Sequence, residues 1–354
     1  MEKDALRAAI ARLESQDLRD LDLDRLAGDG SDRRYWRARY HRADGVPGSL
    51  VVMDLLDVEN IVKSEEVTLY HPEDDELPFL NIHRFLESIG VPVPRVHAFD
   101  RAENFLLLED LGDVLLLDAV KKDPTRKEDL YRRAVEILAD LHTKGTRAKN
   151  DRCLAFRQSF ELPLLLWEMR HFTEFGIEKR RGRERHVEKK DLEVIEAGYR
   201  TICEHLAGLP AVFTHRDYHS RNLLVKNGGI FVIDFQDALL GPAAYDLGSL
   251  LRDSYIDIGD GLVDEMVAFY LDLREQAGDG PFDRAAFRKD FDFQCVQRNL
   301  KAAGRFGFFN VVKGNPNFLA DIPRTLSYVK KNLSKYPELA DLQAALAKYV
   351  PELR

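Results

Sequence analysis

The sequence has no excess of basic residues, and this absence argues against one class of partner. Aspartate and glutamate number 61 against 52 lysines and arginines, a formal net charge of −9 at pH 7. Proteins that bind nucleic acid normally present a basic face to the phosphates. We therefore expect no nucleic-acid partner, and no segment points to an obligate protein partner.

Cysteines and long apolar runs are also scarce. Cys153, Cys203 and Cys295 are far apart and odd in number, which indicates neither a disulfide framework nor a metal-ligand spacing. The N-terminus is charged and lacks an apolar signal core, and no stretch is long enough to span a membrane. These absences predict a cytoplasmic protein.

The sequence does contain a hairpin pattern, at residues 212–237, around which the chain is organised. Two short apolar runs flank an Asn-Gly-Gly turn, which is a strong hairpin signal. Asp217 and Asn222 precede the first run, and Asp234 follows the second. Because a hairpin brings its two ends to one edge, we expect these three side chains to converge.

Residues 215–222 read His-Arg-Asp-x-x-x-x-Asn, the form of kinase catalytic loops. Asp234 then stands where a metal-binding Asp-Phe-Gly is expected, with Gln236 in the glycine position. Phosphoryl transfer from ATP needs a carboxylate to orient the attacking hydroxyl, and an amide and a second carboxylate to hold Mg²⁺. A polar loop between core strands could also contain such residues, but two motifs in this order favour phosphoryl transfer. Asp246 is expected to cap or brace the loop.

The N-terminal third predicts a nucleotide-binding region. Residues 2–20 show helical spacing of apolar residues among charges. A glycine loop at 27–32 then precedes predicted strands at 33–40 and 49–53. Kinases use such a loop and hairpin to cover the ATP phosphates with backbone N–H groups. Residues 106–112 are expected to form the hinge between two lobes.

One residue expected of a kinase is absent. In protein kinases the third strand ends in a phosphate-binding lysine, but the strand at 49–53 ends in methionine. Lys63, Arg33 and Arg34 are candidates to replace it, as are the metal and the backbone alone. The absence leaves open a nucleotide-binding pseudokinase, although the complete set of catalytic-loop residues argues against one.

The chain resembles the aminoglycoside phosphotransferase and choline kinase group of small-molecule kinases, and within it the bacterial anomeric kinases of amino sugars. The blocks that carry the resemblance extend over most of the chain: 28–35, 49–54, 106–112, 215–222, 234–237, 245–247 and 298–304. Helical patterns fill most of the region beyond the hinge, including residues 318–348. The resemblance implies an α+β, protein-kinase-like two-lobe fold, with a small β-rich nucleotide-binding lobe (1–111) and a larger, mainly helical catalytic lobe (112–354).

The resemblance also implies roles for individual residues. Asp217 would be the catalytic base or hydroxyl positioner, and Asn222 and Asp234 the Mg²⁺ ligands. A second set would bind the nucleotide: Gly28, Gly30 and Ser31 over the phosphates, and Glu109 and Leu111 at the adenine. A third set would support the catalytic loop: His215, His219, Arg221 and Asp246.

The implied reaction is transfer of the ATP γ-phosphate to the anomeric hydroxyl of N-acetylmuramate or N-acetylglucosamine, which belongs to peptidoglycan recycling. N-acetylmuramate carries a lactyl carboxylate that an arginine or lysine should meet, and Arg298 and Lys301 are the candidates. Kinases of aminoglycosides, choline or homoserine remain alternatives. A cationic antibiotic, however, would need an acidic cleft.

Overall fold

The computed structural model describes residues 2–26, 34–55, 76–180 and 186–354. Its N-terminal part is a five-stranded antiparallel sheet with the strand order β1-β2-β3-β5-β4. The strands are β1 (Leu18–Arg25), β2 (Arg34–Arg42), β3 (Pro47–Asp54), β4 (Val96–Asp100) and β5 (Phe105–Glu109). The predicted strands at 33–40 and 49–53 are confirmed as β2 and β3.

The two faces of this sheet bury different partners because side chains alternate along a strand. Helix α1 (Lys3–Glu14) packs with Val52 and Leu107 on one face. Met53 and Leu106, each one residue away, join the core that includes helix α2 (Pro78–Ser88) on the other face.

The prediction of one helix over residues 2–20 is wrong at its C-terminal end. Helix α1 stops at Glu14, where Ser15 adopts a left-handed φ of 55°. β1 then begins at Leu18. From residue 20 to residue 24 aspartate and leucine alternate, which is the period of a half-buried strand, and this change of period was overlooked.

The rest of the chain is mostly helical. The helices are α3 (Leu116–Lys122), α4 (Lys127–Arg147), α5 (Leu162–His171), α6 (Lys189–Ala207), α7 (Ala243–Leu251), α8 (Asp260–Gln276), α9 (Arg284–Val311), α10 (Ile322–Leu333) and α11 (Ala340–Tyr349). A π-helical turn, Phe172–Glu178, continues α5. The helical run expected at 318–348 is two helices, because Pro337 cannot continue α10.

Two small antiparallel ribbons lie within the helical part. One pairs β6 (Ala211–Thr214) with β9 (Leu239–Pro242), and the other pairs β7 (Leu223–Lys226) with β8 (Gly229–Val232). The second is the predicted hairpin. The first was not predicted; it pairs Thr214, the residue before the catalytic loop, with Leu239, and its second strand leads directly into α7.

This architecture confirms the predicted α+β fold with a small β-rich lobe and a larger helical lobe. The lobe boundary at residues 111 and 112 stays a prediction. One apolar core runs from α2 and the sheet into α4, α7 and α8, and another joins α5, α6, α9, α10 and α11. Within the described ranges, no helix is both long enough and apolar enough to cross a bilayer.

Candidate active site

The β7–β8 hairpin joins the two halves of the predicted site. Its turn residues, Asn227 and Gly228, both have positive φ (52° and 80°), the type I′ geometry that this residue pair adopts most readily. The Ile233 N–H donates to the Asn222 carbonyl over 3.0 Å. The hairpin pairing therefore extends up to Asp234.

Asp217, Asn222 and Asp234 lie together. Asn222 Nδ2 donates to the Asp217 main-chain oxygen over 2.9 Å and lies 3.4 Å from Asp234 Oδ2. Asp234 has a φ of 63°, a left-handed conformation that costs a non-glycine residue roughly 1–3 kcal/mol. All hydrogen bonds that Asp217 makes to other described residues use its main-chain atoms. Its carboxylate therefore remains open to a ligand.

Asn222 and Asp234 offer oxygen atoms that suit a hard cation. Because Asn222 Nδ2 makes both hydrogen bonds, its Oδ1 is left for a ligand. Gln236 Nε2 donates to Asp234 Oδ1 (2.9 Å) and Asp237 Oδ2 (3.0 Å) and so orients both carboxylates. Among the described residues no group of three or more His, Cys, Asp or Glu is placed to hold a metal. The residues present fit a cation such as Mg²⁺, which binds one or two carboxylates plus substrate phosphates.

A buried aspartate of α7 holds the start of the catalytic loop through its backbone. The His215 N–H donates to Asp246 Oδ2 over 2.6 Å, and the Arg216 N–H donates to Oδ1 over 2.9 Å. Asp246 is fully buried, so these charge-assisted bonds are shielded from water. This is the bracing position that the sequence predicted for Asp246.

A chain of hydrogen bonds supports Asp246 from behind. Arg274 Nη1 donates to the Tyr270 hydroxyl over 2.6 Å, and this hydroxyl lies 2.6 Å from His142 Nδ1. His142 Nε2 lies 3.2 Å from Asp246 Oδ2. Burial lowers the pKa of His142, so the ring is neutral and donates from Nε2 to the carboxylate. The sequence reading gave His142 no role in the site.

A second buried aspartate, Asp253, holds the middle of the loop. It lies just beyond α7, and its Oδ2 accepts the Ser220 N–H over 2.9 Å. Oδ1 accepts the Tyr255 N–H over 2.8 Å. Asp253 is fully buried, and both of its oxygens bind backbone groups. The sequence reading missed this residue.

His215 and Arg216 connect the loop to its surroundings. His215 Nε2 donates to the Ile233 carbonyl over 2.9 Å, and Nδ1 accepts the Asp217 N–H over 3.2 Å. These bonds fix one neutral tautomer of the ring. Arg216 has a φ of 78°, and its Nη2 lies 3.5 Å from Oε1 of the buried Glu168.

Helix α9 presents two cations to the site, the predicted substrate residues Arg298 and Lys301. Lys301 Nζ lies 3.4 Å from Glu168 Oε1 and donates to the Tyr245 hydroxyl over 3.2 Å. Arg298 Nε donates to Ser249 Oγ. Glu168 was not predicted from the sequence, although it stands among apolar residues at helical spacing.

These cations determine the charge of the predicted base. Burial alone would raise the pKa of Asp217, but the positive charge of Lys301, with Arg216 and Arg298 adding to it, holds that pKa well below its usual range. Burial and the charge of Arg298 lower the pKa of His219. At neutral pH Asp217 is therefore ionised and His219 is uncharged.

Arg221, another predicted supporting residue, packs on the side of the loop. Its guanidinium lies 4.6 Å from the ring centroid of Tyr255 and 5.7 Å from that of Phe318. His219 meets the same Tyr255 edge to face, with 5.4 Å between ring centroids. Aromatic contacts therefore restrict both side chains next to Asp217.

The predicted hinge is tied to both lobes. Arg37 of β2 donates to both oxygens of Asp110 (2.8 and 3.0 Å). Lys226 of the hairpin donates to the Asp110 carbonyl over 2.8 Å and lies 3.5 Å from Glu109 Oε1. The Leu111 side chain is buried, so any contact that it makes with adenine would come from its main chain. The adenine roles of Glu109 and Leu111 stay predictions.

The predicted phosphate loop and two candidate lysine replacements lie outside the described residues: Gly28, Gly30, Ser31, Arg33 and Lys63. The third candidate, Arg34, begins β2 and is exposed. Met53, where a kinase would have its lysine, is buried in the core.

Comparison with known proteins identifies a family and relatives of the chain. The phosphotransferase enzyme family matches residues 22–285. The chain is 32% identical to N-acetylmuramate/N-acetylglucosamine kinase of Neisseria meningitidis serogroup B, over 94% of this chain and 92% of that protein. It is 31% identical to the kinase of the same name from Pseudomonas putida, over 87% and 84%.

A solved structure shares the fold at much lower identity. An amicoumacin kinase in complex with AMP-PNP, Ca²⁺ and Ami superposes with a TM-score of 0.59 at 14% identity, covering 96% of this chain and 95% of its own. The match to the family, the identity to the two relatives and the shared fold are therefore consistent with one another. The chain belongs to the phosphotransferase enzyme family.

Proposed function

We propose that this protein is an ATP-dependent kinase that phosphorylates the anomeric hydroxyl of N-acetylmuramate and N-acetylglucosamine. The proposal rests on the meeting of Asp217, Asn222 and Asp234 at one edge of a hairpin. The chain in which they meet is 31–32% identical to two kinases named for these sugars. The product would be the sugar 1-phosphate.

Asp217 is proposed to orient the sugar hydroxyl and accept its proton. The carboxylate is ionised, is open to a ligand and stands on a loop fixed by buried hydrogen bonds. Such positioning lets the hydroxyl oxygen attack the γ-phosphorus in line with the departing ADP. His215, His219 and Arg221 would keep the loop in this position.

Asn222 and Asp234 are proposed to hold Mg²⁺ on the ATP phosphates. Held there, the ion would offset the negative charge of the phosphates during transfer. Gly28, Gly30 and Ser31 would cover the phosphates with backbone N–H groups, and the main chain from Glu109 to Leu111 would bind adenine.

Arg298 and Lys301 are proposed to stand on the acceptor side of Asp217. Their positive charges, of which that of Arg298 is buried, favour a neutral or anionic acceptor and disfavour a polycationic aminoglycoside or choline. Free amino sugars released from the cell wall fit this requirement. We therefore propose a cytoplasmic role in peptidoglycan recycling.

A panel of acceptors tests the proposal. Purified protein with ATP and Mg²⁺ should consume ATP in the presence of free N-acetylmuramate or N-acetylglucosamine, but not with kanamycin, choline or homoserine. Asp217→Asn is the matched control for background hydrolysis. Turnover only with choline, or only with an aminoglycoside, would show that this compound and not an amino sugar is the acceptor. Nucleotide binding without turnover of any acceptor would favour a pseudokinase.

A further inference from the structure

Two cations of α9, the buried Arg298 and the partly buried Lys301, act on the charge of Asp217. Of the two, only Lys301 has a carboxylate partner among the described residues. Lys301 Nζ lies 3.4 Å from Glu168 Oε1 and 3.2 Å from the Tyr245 hydroxyl. Glu168 also accepts a hydrogen bond from Gln297 Nε2 over 2.8 Å. Lys301 therefore has a carboxylate partner within the protein, which it shares with Arg216.

Arg298, one helical turn earlier, differs. Only 6% of the residue is exposed, and its Nε donates to the neutral Ser249. Nη1 lies 3.5 Å from the amide oxygen of Asn299. Among the described residues no carboxylate lies within 4.0 Å of this guanidinium. A buried cation without a close counter-ion is costly, and beside an open catalytic carboxylate it indicates a place for an anionic ligand.

The proposed reaction requires positive charge at this place. During transfer the negative charge of the γ-phosphoryl group is spread over three oxygens. The strand lysine that often meets this charge is missing, since Met53 of β3 is buried in the core. That strand position therefore supplies no cation.

We infer, on the basis of the proposed function, that Arg298 binds the γ-phosphoryl oxygens during transfer and is a catalytic residue. Lys301 acts instead through its charge on Asp217. This inference revises the expectation that Arg298 pairs with the lactyl carboxylate. N-acetylglucosamine has no carboxylate, so an arginine reserved for that group would stay unpaired with this sugar, whereas phosphoryl oxygens are present with both.

The transfer step balances without a further reactant. The anomeric oxygen forms a bond to the γ-phosphorus while the bond from that phosphorus to the β–γ bridging oxygen breaks. The electron pair of the broken bond leaves with ADP, and the hydroxyl proton passes to Asp217 and then to solvent. Arg298 donates hydrogen bonds to the oxygens of the moving phosphoryl group and neither gains nor loses a proton.

Steady-state kinetics of Arg298→Gln and Arg298→Lys with each sugar separately test the inference. We expect Arg298→Gln to lower kcat by roughly 10²–10³-fold with both sugars, the usual loss when a donor to transition-state charge is removed. The KM for sugar should change little. Arg298→Lys keeps the charge and should lose less. ADP affinity should stay unchanged, while binding of ADP with aluminium fluoride and sugar, which mimics the moving phosphoryl group, should weaken.

The controls separate this role from folding and from the carboxylate. Arg284→Gln, at the start of α9, removes exposed contacts with Asp272, Glu275 and the Ala268 carbonyl and should keep wild-type kcat. If Arg298→Gln does not fold, Ser249→Ala still removes the acceptor that orients Nε, and it should lower kcat with both sugars. Unchanged kcat in that variant would count against the inference.

Two results would overturn the inference while leaving the proposed function intact. One is a loss confined to N-acetylmuramate, especially in its KM, which would assign Arg298 to the lactyl carboxylate. The other is an unchanged kcat in a folded Arg298→Gln. Failure of the wild-type protein to phosphorylate either sugar would instead refute the proposed function.

Discussion

The catalytic loop has two faces with different hydrogen bonding. The site face consists of the side chains of Asp217 and Asn222 with the neighbouring Asp234, and the Asp217 carboxylate accepts no hydrogen bond from the described residues. On the anchor face, backbone N–H groups of the loop donate to Asp246 and Asp253. Both oxygens of each anchor aspartate are occupied.

This difference distinguishes the carboxylates that stabilise the loop backbone from those that are available to react. Burial alone would select Asp246 and Asp253, because both are fully buried and Asp217 is only partly so. The hydrogen-bonding pattern instead identifies Asp217 as the carboxylate that is available for the reaction. A carboxylate whose oxygens all accept backbone N–H groups cannot bind substrate, whereas Asp217 is ionised and open. Four variants test this separation, from the largest expected effect to the smallest.

Asp234→Ala should have the largest effect, since it removes a proposed metal ligand from the site face. We expect no detectable Mg²⁺-dependent turnover, because the charge of the phosphates would no longer be offset. Titration of ADP with and without Mg²⁺ gives an independent readout, and the Mg²⁺ dependence of binding should fall. Wild-type turnover with an unchanged Mg²⁺ requirement would rule out the ligand role.

Asp217→Asn should lower kcat by roughly 10²–10⁴-fold, the usual contribution of a positioned acid–base group. The shape of the side chain and the loop backbone are kept, so ADP affinity and thermal stability should change little. The measurement is kcat with the preferred sugar, alongside a melting curve. A variant with wild-type turnover would remove Asp217 from the reaction.

Asp253→Asn should lower stability more than Asp217→Asn does and kcat less. An amide replaces one of two buried oxygens that accept backbone N–H groups, and an unsatisfied buried donor costs about 1–3 kcal/mol. Chemical denaturation should detect this loss, with a smaller fall in kcat than in Asp217→Asn. A large kcat loss at unchanged stability would contradict the assignment of Asp253 to the anchor face.

Lys301→Met should have the smallest effect at neutral pH and should act on the pH profile. Lys301 lowers the pKa of Asp217 more than any other charge, so its removal raises that pKa. As the pH is lowered, the ionised and active fraction of Asp217 then begins to fall at a higher pH than in wild type. The acid limb of the kcat profile therefore moves to higher pH. Lys301→Arg keeps the charge and should leave the acid limb at its wild-type pH. An unmoved acid limb in Lys301→Met as well would show that Lys301 does not act on Asp217.

The Lys301→Met variant should keep its fold, because the buried Glu168 still faces Arg216, whose Nη2 lies 3.5 Å from Glu168 Oε1. A melting curve checks this expectation. A shift of the acid limb that appears only together with a lower melting temperature would indicate disturbed folding near Glu168.

The sequence predicts the site face well because its signals are local. Asp217 and Asn222 lie within eight residues of one motif, and Asn-Gly-Gly specifies the turn that returns the chain to Asp234. Both facts depend on short-range spacing and turn chemistry. The predicted strands and most predicted helices have the same local basis.

Asp246 was expected to brace the loop, but the other residues that support the loop could not be predicted because they meet only through tertiary packing. Asp253, Glu168 and His142 are far apart in the chain, and none belongs to a local motif. Glu168 did give one signal, since it lies at helical spacing from the buried Leu165 and Phe172. A charge in an apolar stripe indicates a buried ion pair, but it does not identify Arg216 or Lys301 as the partner.

The position of phosphate on the product tests the central claim most directly. Wild-type protein should convert N-acetylglucosamine and ATP to a single sugar phosphate in which the NMR signal of the anomeric proton couples to phosphorus, and Asp217→Asn should form it far more slowly. Phosphate on the 6-hydroxyl would contradict the claim that the open carboxylate of Asp217 activates the anomeric oxygen.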